Sequence, residues 1–303
     1  MSERRAVAHW KDDYFLHSAV CSMRVAVTGG NGKLGRVTVQ ALRDAGHEVT
    51  VLDVVGSDRQ AFTVVDFTDY GQTVDAFSSI DNRHDGIDAV VHLAAIPAGG
   101  LRSDSATFHN NMNSTFNVFQ AARRVGIRTI VYASSETLLG IPFETPPPYV
   151  PLDEEYASRP ESTYAVVKHL EEELAQKLVR WDPELSITAL RFSNVMNVDD
   201  YAAFPGYDAD ATLRSWNLWG YIDARDGAEA IRLSLDAARP GFDVFNIFAA
   251  DTVMSRPSAE LMAEVFPDVE FRSEVEGTNS LAPSEKARRI LGFVPRHSWR
   301  DHV

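Results

Sequence analysis

From residue 24 onward, short runs of nearly continuous apolar, β-branched residues alternate with longer stretches whose apolar positions recur every three or four residues. The short runs are RVAVT (24–28), EVTVLD (48–53), AFTVVD (61–66), AVVHLA (89–94), TIVYAS (129–134) and SITALRF (186–192). A strand with one wet face alternates apolar and polar residues. These runs do not, so they predict strands covered on both faces, as in a parallel sheet. The stretches 34–46, 70–80, 105–126 and 163–181 have helical period and fall between the strands, where crossover helices belong. Gly46 and Gly126 stand where C-terminal helix caps fall. The whole predicts an α/β fold built on a doubly wound parallel sheet, without internal repeats.

Near residue 193 this rhythm stops. A segment rich in aromatic and small residues, SNVMNVDDYAAFPGYDADATLRSWNLWG, is followed by a helix at 225–239, a strand at 243–248 and helices at 257–265 and 283–290. The expected division is therefore a main domain over 23–192 and a small lobe over 193–303, with some of its elements returning to the main domain. Ligands of such sheets bind at the C-terminal edge of the strands, where the lobe would sit. Residues 1–22 open with positive charge as a secretory leader does, but Lys11, Asp12 and Asp13 interrupt any apolar run. They read as an N-terminal extension, whether an appended arm, an interface element or an early start codon, and as poorly ordered.

Composition narrows the partners. At 45% hydrophobic and 24% charged residues, 303 residues support one large core and a smaller lobe. A net charge of −14 disfavours nucleic acid and anionic membranes, which are bound through Lys and Arg. Cys21 is the single cysteine, so no internal disulfide forms, and no run approaches the roughly 20 apolar residues a membrane span needs. A cytoplasmic location is expected. The nine histidines and scattered acids form no spaced cluster such as His-Glu-x-x-His, and no metal is expected.

The candidate chemistry begins at TGGNGKLG (28–35), between a predicted strand and a predicted helix. Gly29, Gly32 and Gly35 allow a tight turn and let backbone N–H groups and the helix N-terminus approach a diphosphate, with Asn31, Lys33 and Leu34 in the same loop. A plain strand-to-helix turn is the alternative. Asp53 ends the second strand, 18 residues past Gly35, where an acid accepts from the ribose hydroxyls and repels a 2′-phosphate. That favours NAD, while Lys33 and Arg59 keep NADP open. Asp66 is placed to meet the adenine amino group, with Phe67 beside it, or simply to start the next helix.

Tyr164 and Lys168 lie four residues apart on one predicted helix face. A phenol of ordinary pKa about 10 is a poor base at neutral pH, and a nearby ammonium together with a positive nicotinamide ring would bring it into range. Ser134 and Ser135, at the end of the fifth strand, place a hydroxyl that would hold a substrate oxygen against Tyr164. A Tyr-x-x-x-Lys pair is common on helices; its weight here comes from following a glycine loop, a strand-end acid and a strand-end serine.

Taken together, TGGNGKLG, Asp53, Asp66, HLAA (92–95), NMNSTFNVFQAA (111–122), YASSETLLG, YAVVK and LRFSN (190–194) make the chain resemble the extended short-chain dehydrogenases/reductases. That group holds the NAD-dependent sugar epimerases and dehydratases. The likeness runs from Met23 to about residue 200, and DARDGAEAI and EKARRILGFVPRHSW resemble the group's C-terminal lobe. It implies a Rossmann-type NAD-binding domain over 23–192, a catalytic triad of Ser135, Tyr164 and Lys168, and Lys168 also holding the nicotinamide ribose. Leu93, Ala94 and Ala95 would wall the cofactor, and Asn111 would orient elements near the active site. Read without the family, HLAA is a buried strand end and Asn111 a polar residue on a helix face. Ala98, Arg191 and Asn194 would lie near substrate.

The chain departs from nucleotide-sugar enzymes at Trp219, Gly220 and Tyr221, where an Arg-Asp-aromatic stretch usually contacts the nucleotide, and its lobe segment carries one cation, Arg214. The short lobe resembles that of uronate and aldose dehydrogenases. The leading expectation is thus an NAD-dependent oxidation of a hydroxyl on a free sugar or sugar acid. A nucleotide-sugar epimerase or dehydratase with tightly bound NAD is the alternative, and a cofactor-sensing regulatory protein a third. Phe204, Tyr207, Trp216 and Trp219 would stack on a sugar or fill the lobe core; Arg191 or Arg102 would pair a substrate carboxylate or serve the fold. The Pro-rich 142–162 reads as a covering loop, HLEEELAQKLVRW as a solvated or subunit-facing surface, and the helices near 104–125 and 163–181 as a homodimer contact.

Overall fold

The computed structural model describes residues 22–57, 60–78 and 86–303. The expected N-terminal arm, apart from Ser22, lies outside the described residues, as do Arg59 and the last two residues of the helix expected at 70–80.

The main-domain elements follow the predicted rhythm: β1 (Arg24–Thr28), α1 (Lys33–Asp44), β2 (Glu48–Asp53), β3 (Thr63–Val64), α2 (Tyr70–Phe77), β4 (Ala89–His92), α3 (Asp104–Val125), β5 (Thr129–Ser135), β6 (Tyr149–Val150), α4 (Thr163–Trp181) and β7 (Ser186–Phe192). There follow β8 (Val195–Met196), β9 (Ile222–Asp223), α5 (Ala224–Asp236), β10 (Gly241–Ile247), α6 (Ser258–Val265), β11 (Glu270–Phe271) and α7 (Glu285–Leu291). The main sheet has seven parallel strands in the order β10-β7-β5-β4-β1-β2-β3. Strand order reverses between β1 and β4, which opens a crevice at their C-terminal ends.

Side-chain alternation along each strand explains why both faces are dry. Val25, Val27, Val51, Val91, Val131 and Leu190 meet Val39 and Leu42 of α1, Ala230, Ile231 and Leu235 of α5, and Ala287 of α7. Their neighbours Ala26, Leu52, Val90, Ile130, Tyr132, Ile187 and Ala189 turn the other way, onto Phe77 of α2, Val118 and Phe119 of α3, and Ala175 and Leu178 of α4. Each fully buried Val or Leu contributes roughly 1.5–3 kcal/mol, so the pattern itself sets which face each helix covers.

The expected strand at 61–66 shrinks to two residues at the sheet edge. It pairs only with Leu52 and Asp53, the last residues of β2, so its remaining residues have no ladder to join. The strand expected at 243–248 returns to the main sheet as β10, paired with the full length of β7. α5 and α7 return with it. The rest of the C-terminal region forms its own cluster, in which Tyr201, Phe204, Trp219, Tyr221, Phe248 and Trp299 pack over Leu138 and Leu139, just past β5.

Candidate active site

The glycine loop closes tightly. A Cβ on Gly29 would lie 2.7 Å from the Ala94 nitrogen, and one on Gly35 would lie 2.2 Å from the Gly29 carbonyl, so both are held to glycine by contact with backbone. Gly29 also has φ of +67°, a left-handed conformation that glycine adopts without strain. α1 starts from Gly32 with no side-chain cap and no acid in its first turn. Its N-terminal amides and partial positive charge thus face the crevice without a side-chain acceptor of their own, which fits the diphosphate of a dinucleotide.

Asp53 stitches that loop together. Its carboxylate accepts from the backbone N–H groups of Asn31 (2.9 Å) and Val55 (3.0 Å). Asn31 Nδ2 donates to the Val55 carbonyl at 2.7 Å. Gln60, which carries no motif, donates to the Gly30 carbonyl and to Asn31 Oδ1. Lys33 binds the Val195 carbonyl (2.8 Å) and Asp200 (2.6 Å), and Leu34 packs toward α5, where a Cβ on Gly227 would meet it at 3.1 Å. Exposed Asp66 accepts from the backbone and hydroxyl of Thr68 with one oxygen, while Phe67 is buried edge-on to His92. An open cavity of about 360 Å³ beside Lys33, Arg36 and Arg225 lies outside the Tyr164 site.

At the other side of the crevice, α4 begins at the Ser162 cap, whose hydroxyl accepts from Ala165 N–H, and this puts Tyr164 in the first turn. Ser135 ends β5. Its Oγ accepts from the backbone (3.2 Å) and hydroxyl (3.0 Å) of Thr137, which leaves its own hydrogen free for a substrate oxygen, and it is near enough to Tyr164 to pull the phenol's pKa down. Lys168 Nζ lies 5.8 Å from the Tyr164 ring centroid and donates to the Ala133 carbonyl and to Glu171, both at 2.8 Å. The three groups named from the sequence converge. Burial raises the Tyr164 pKa above its ordinary value; Lys168 and Ser135 pull it back, and Glu171 and Glu136 push with burial. Burial also works against the Lys168 charge, but Glu171 and Tyr164 outweigh it and hold that ammonium above its usual range.

The loop after β4 reaches the same place. Leu93 and Ala94 are half-buried and donate their N–H groups to Thr28 Oγ1, each at 3.2 Å, and Ala95 is half-buried beside them. Asn111 is fully buried and clamps Ile96 at both its N–H (2.8 Å) and its carbonyl (2.9 Å). Ala98 is exposed, and a side chain on the next residue, Gly99, would touch Tyr164 Cβ at 4.0 Å.

Ser134 and Arg191 have another partner. They are neighbours across β5 and β7, and both bind Glu172: Ser134 donates at 2.6 Å and the Arg191 guanidinium at 3.0 and 2.7 Å. All three side chains are buried between α4 and the sheet. Asn194 is half-buried, and its carbonyl accepts from the Ile222 N–H at 3.1 Å. The acids of HLEEELAQKLVRW divide, against the expectation of a solvated or subunit-facing surface. Glu171 and Glu172 are 0% and 4% exposed, and only Glu173, paired with Lys177 at 2.9 Å, faces solvent. α4 turns the first two toward the strand ends.

Glu136, directly after Ser135 within YASSETLLG, is a further residue to which the sequence assigns no role. It accepts from Ser193 Oγ (2.6 Å) and Asn217 Nδ2 (3.2 Å), and burial pushes its pKa up to about 7. Phe204 and Trp219 are fully buried core. Trp219 Nε1 donates to the Ala211 carbonyl at 2.7 Å, and this anchor accompanies left-handed backbone at Leu218 and Trp219, a strain of order 1–3 kcal/mol per residue. Arg214 is buried between Tyr207 and Trp216, 5.5 and 5.0 Å from their rings, and donates to the Gly220 carbonyl. The Pro-rich stretch 142–162 joins the lobe core through Phe143, Tyr149, Val150, Leu152 and Tyr156. Among the described residues, no group of three or more His, Cys, Asp or Glu gathers that would hold a metal, and no helix is long and apolar enough to cross a membrane.

Residues 25–247 match the NAD dependent epimerase/dehydratase family. The chain belongs to that family. It is accordingly an NAD-dependent enzyme with the fold of the short-chain dehydrogenases/reductases. It is 31% identical over 183 residues to the UDP-glucose 4-epimerase of Bacillus subtilis, a match covering 57% of this chain and 52% of that protein. To the UDP-glucose 4-epimerase of Corynebacterium glutamicum it is 25% identical over 309 residues, covering 91% and 92%. A solved UDP-galactose 4-epimerase superposes with a TM-score of 0.65 at 26% identity, over 91% of this chain and 94% of that one. The expected nearness to uronate dehydrogenases gives way to these relatives: a uronate dehydrogenase structure matches at 20% identity and a TM-score of 0.65, over 92% of this chain and 84% of that one, a likeness of fold alone.

Proposed function

We propose that the protein oxidises a hydroxyl of a nucleotide-linked sugar and hands the hydride back to the same substrate, as an epimerase or dehydratase does. The observation that carries this reading is the convergence of Ser135, Tyr164 and Lys168, together with a glycine loop whose helix N-terminus has no side-chain cap. Tyr164 takes the hydroxyl proton, Ser135 holds the oxygen, and the Lys168 charge favours the phenolate. Bound NAD would supply the hydride acceptor and donor that this chemistry needs. The loop residues Gly29, Asn31, Gly32 and Gly35 with the α1 N-terminus would hold the diphosphate, Asp53 the adenosine ribose, Asp66 the adenine, and the 93–95 segment the nicotinamide side. The printed activities of the relatives supply the nucleotide-sugar class.

One observation favours a second reading, oxidation of a free sugar or sugar acid with net release of NADH. The lobe cation Arg214 is buried between aromatic rings, and Trp219 and Tyr221 fill core where a nucleotide-binding cation is expected. Incubation with UDP-glucose, UDP-galactose and free uronic acids, followed by sugar analysis and absorbance of NADH, separates the two. Interconversion of nucleotide sugars without NADH accumulation supports the first; NADH formed only with a free sugar replaces it with the second.

The functional unit in this reading is a homodimer. α3 and α4 pack side by side, and Phe116 (45%), Val166 (36%) and Leu170 (37%) are exposed on them. These apolar side chains suit burial against a second copy of the same pair.

A further inference from the structure

A buried row of polar groups runs from the wall of the cofactor crevice to Lys168. Glu171 is completely buried, and its carboxylate receives Lys168 Nζ at 2.8 Å and Thr115 Oγ1 at 2.8 Å. Thr115 Oγ1 lies 3.1 Å from His92 Nε2, and His92 Nδ1 lies 2.7 Å from Thr28 Oγ1. Thr28 Oγ1 in turn accepts from the Leu93 and Ala94 amides.

Donor and acceptor capacity fixes the direction of every link. An ionised carboxylate only accepts, so Thr115 donates to Glu171 and must accept from a protonated His92 Nε2. Burial, and then the Lys168 charge, lower the His92 pKa to about 3, so its ring is neutral and Nδ1 accepts from the Thr28 hydroxyl. The row therefore starts at backbone amides and ends at the Lys168 ammonium. Amide hydrogens do not leave, so the row cannot discharge a proton to solvent. Its role is to hold charge in place.

We propose that Glu171 is a positioning residue of the reaction: it fixes the Lys168 ammonium beside Tyr164 and partly neutralises it, while Thr115, His92 and Thr28 tie that ammonium to the cofactor wall at Leu93 and Ala94. This rests on the reading of Tyr164 and Lys168 given above. The charged and titratable groups facing this pair are Glu171 and Glu172 on α4, Glu136 after β5, His92 on β4, Tyr132 on β5 and Arg191 on β7. Burial lifts Glu171 above the ordinary carboxylate range, and Lys168 and Thr115 oppose that shift by stabilising the anion. Removing the Glu171 charge leaves the ammonium unopposed beside the phenol, which then ionises at lower pH.

The test is the pH dependence of kcat in Glu171→Gln, Thr115→Val, Thr115→Ser and Tyr164→Phe, with NAD affinity measured in each. In Glu171→Gln the ascending limb moves to lower pH by about half a unit or more. Thr115→Val moves it the same way by less, because the anion loses a donor, and Thr115→Ser restores the parent profile. A Glu171→Gln limb that superimposes on the parent, even with uniformly lower kcat, overturns the proposal. If Glu171→Gln fails to bind NAD, the threonine pair decides: identical profiles for Val and Ser overturn it. Full activity in Tyr164→Phe sinks the reading of the site and this inference with it; an inactive Tyr164→Phe with an unmoved Glu171→Gln limb sinks this inference alone.

Discussion

Lys168 holds its ammonium 5.8 Å from the centroid of the Tyr164 ring, one helical turn further along α4. The distance is short enough for the charge to act on the phenol and long enough to leave the phenolic oxygen to Ser135 and a substrate. Replacing Tyr164 with Phe removes the base while keeping the ring. Turnover should fall by at least about 10²-fold. NAD binding, followed by fluorescence titration, should stay near the parent value.

The glycine loop has its own test. Ala at position 35 would drive a methyl carbon to 2.2 Å from the Gly29 carbonyl, so the turn and α1 must separate. Gly35→Ala should weaken NAD by roughly tenfold or more, at a cost of ~1–3 kcal/mol in overpacking. Titration against Gly46→Ala, a change remote from the crevice with nothing within 4 Å of the added carbon, controls for general destabilisation.

Glu136 and His92 give stability two opposed pH dependences. The Glu136 pKa is raised by burial from 4.5 to about 7, so between those values the folded chain binds more protons than the unfolded one, and stability falls as pH rises. Glu136→Gln should abolish that loss, on the order of 3 kcal/mol across the window, when denaturant unfolding is compared at pH 5 and pH 8. His92 has the opposite sign. Its pKa falls from 6.5 to about 3, so the unfolded chain takes up a proton the folded one refuses, and stability is lost as pH drops below 6.5.

Leu170→Asp and Phe116→Asp should convert a dimer to a monomer, read by light scattering on a sizing column. A charge placed in an apolar contact is expensive to bury unpaired. Unchanged mass in both variants removes α3 and α4 as the contact.

Local pattern is enough to read much of this molecule, and the exceptions share a cause. α4 is legible to its last residue because Ser162 caps it and its apolar positions keep helical period through Trp181. β7 is legible because every residue in it is buried, and its largely apolar, β-branched run (Ile187, Ala189, Leu190 and Phe192, with Thr188) signals that. The strand expected at 61–66 is overcalled, since pairing depends on where β2 stops. Ser135, Tyr164 and Lys168 are visible as residue types in a given order. Glu171 and Glu172 are not, because in HLEEEL an acid facing the sheet and an acid facing water look alike. Only the rotation of α4 against Thr115 and Arg191 distinguishes them. The partner of Ser134 and Arg191 is hidden for the same reason: each is polar and at a strand end, yet their shared carboxylate comes from a helix.

The hydrogen bonds of Glu136 carry a mechanical consequence. The residue adjoins Ser135 and grips Ser193 and Asn217, one on each side of the lobe's irregular segment. A lobe swinging open as a hinged cover would tear those bonds or pull the end of β5, which carries Ser135, with it. Lifting the lobe therefore costs those buried hydrogen bonds, whereas the exposed 97–100 loop beside Tyr164 carries no such tether to Glu136.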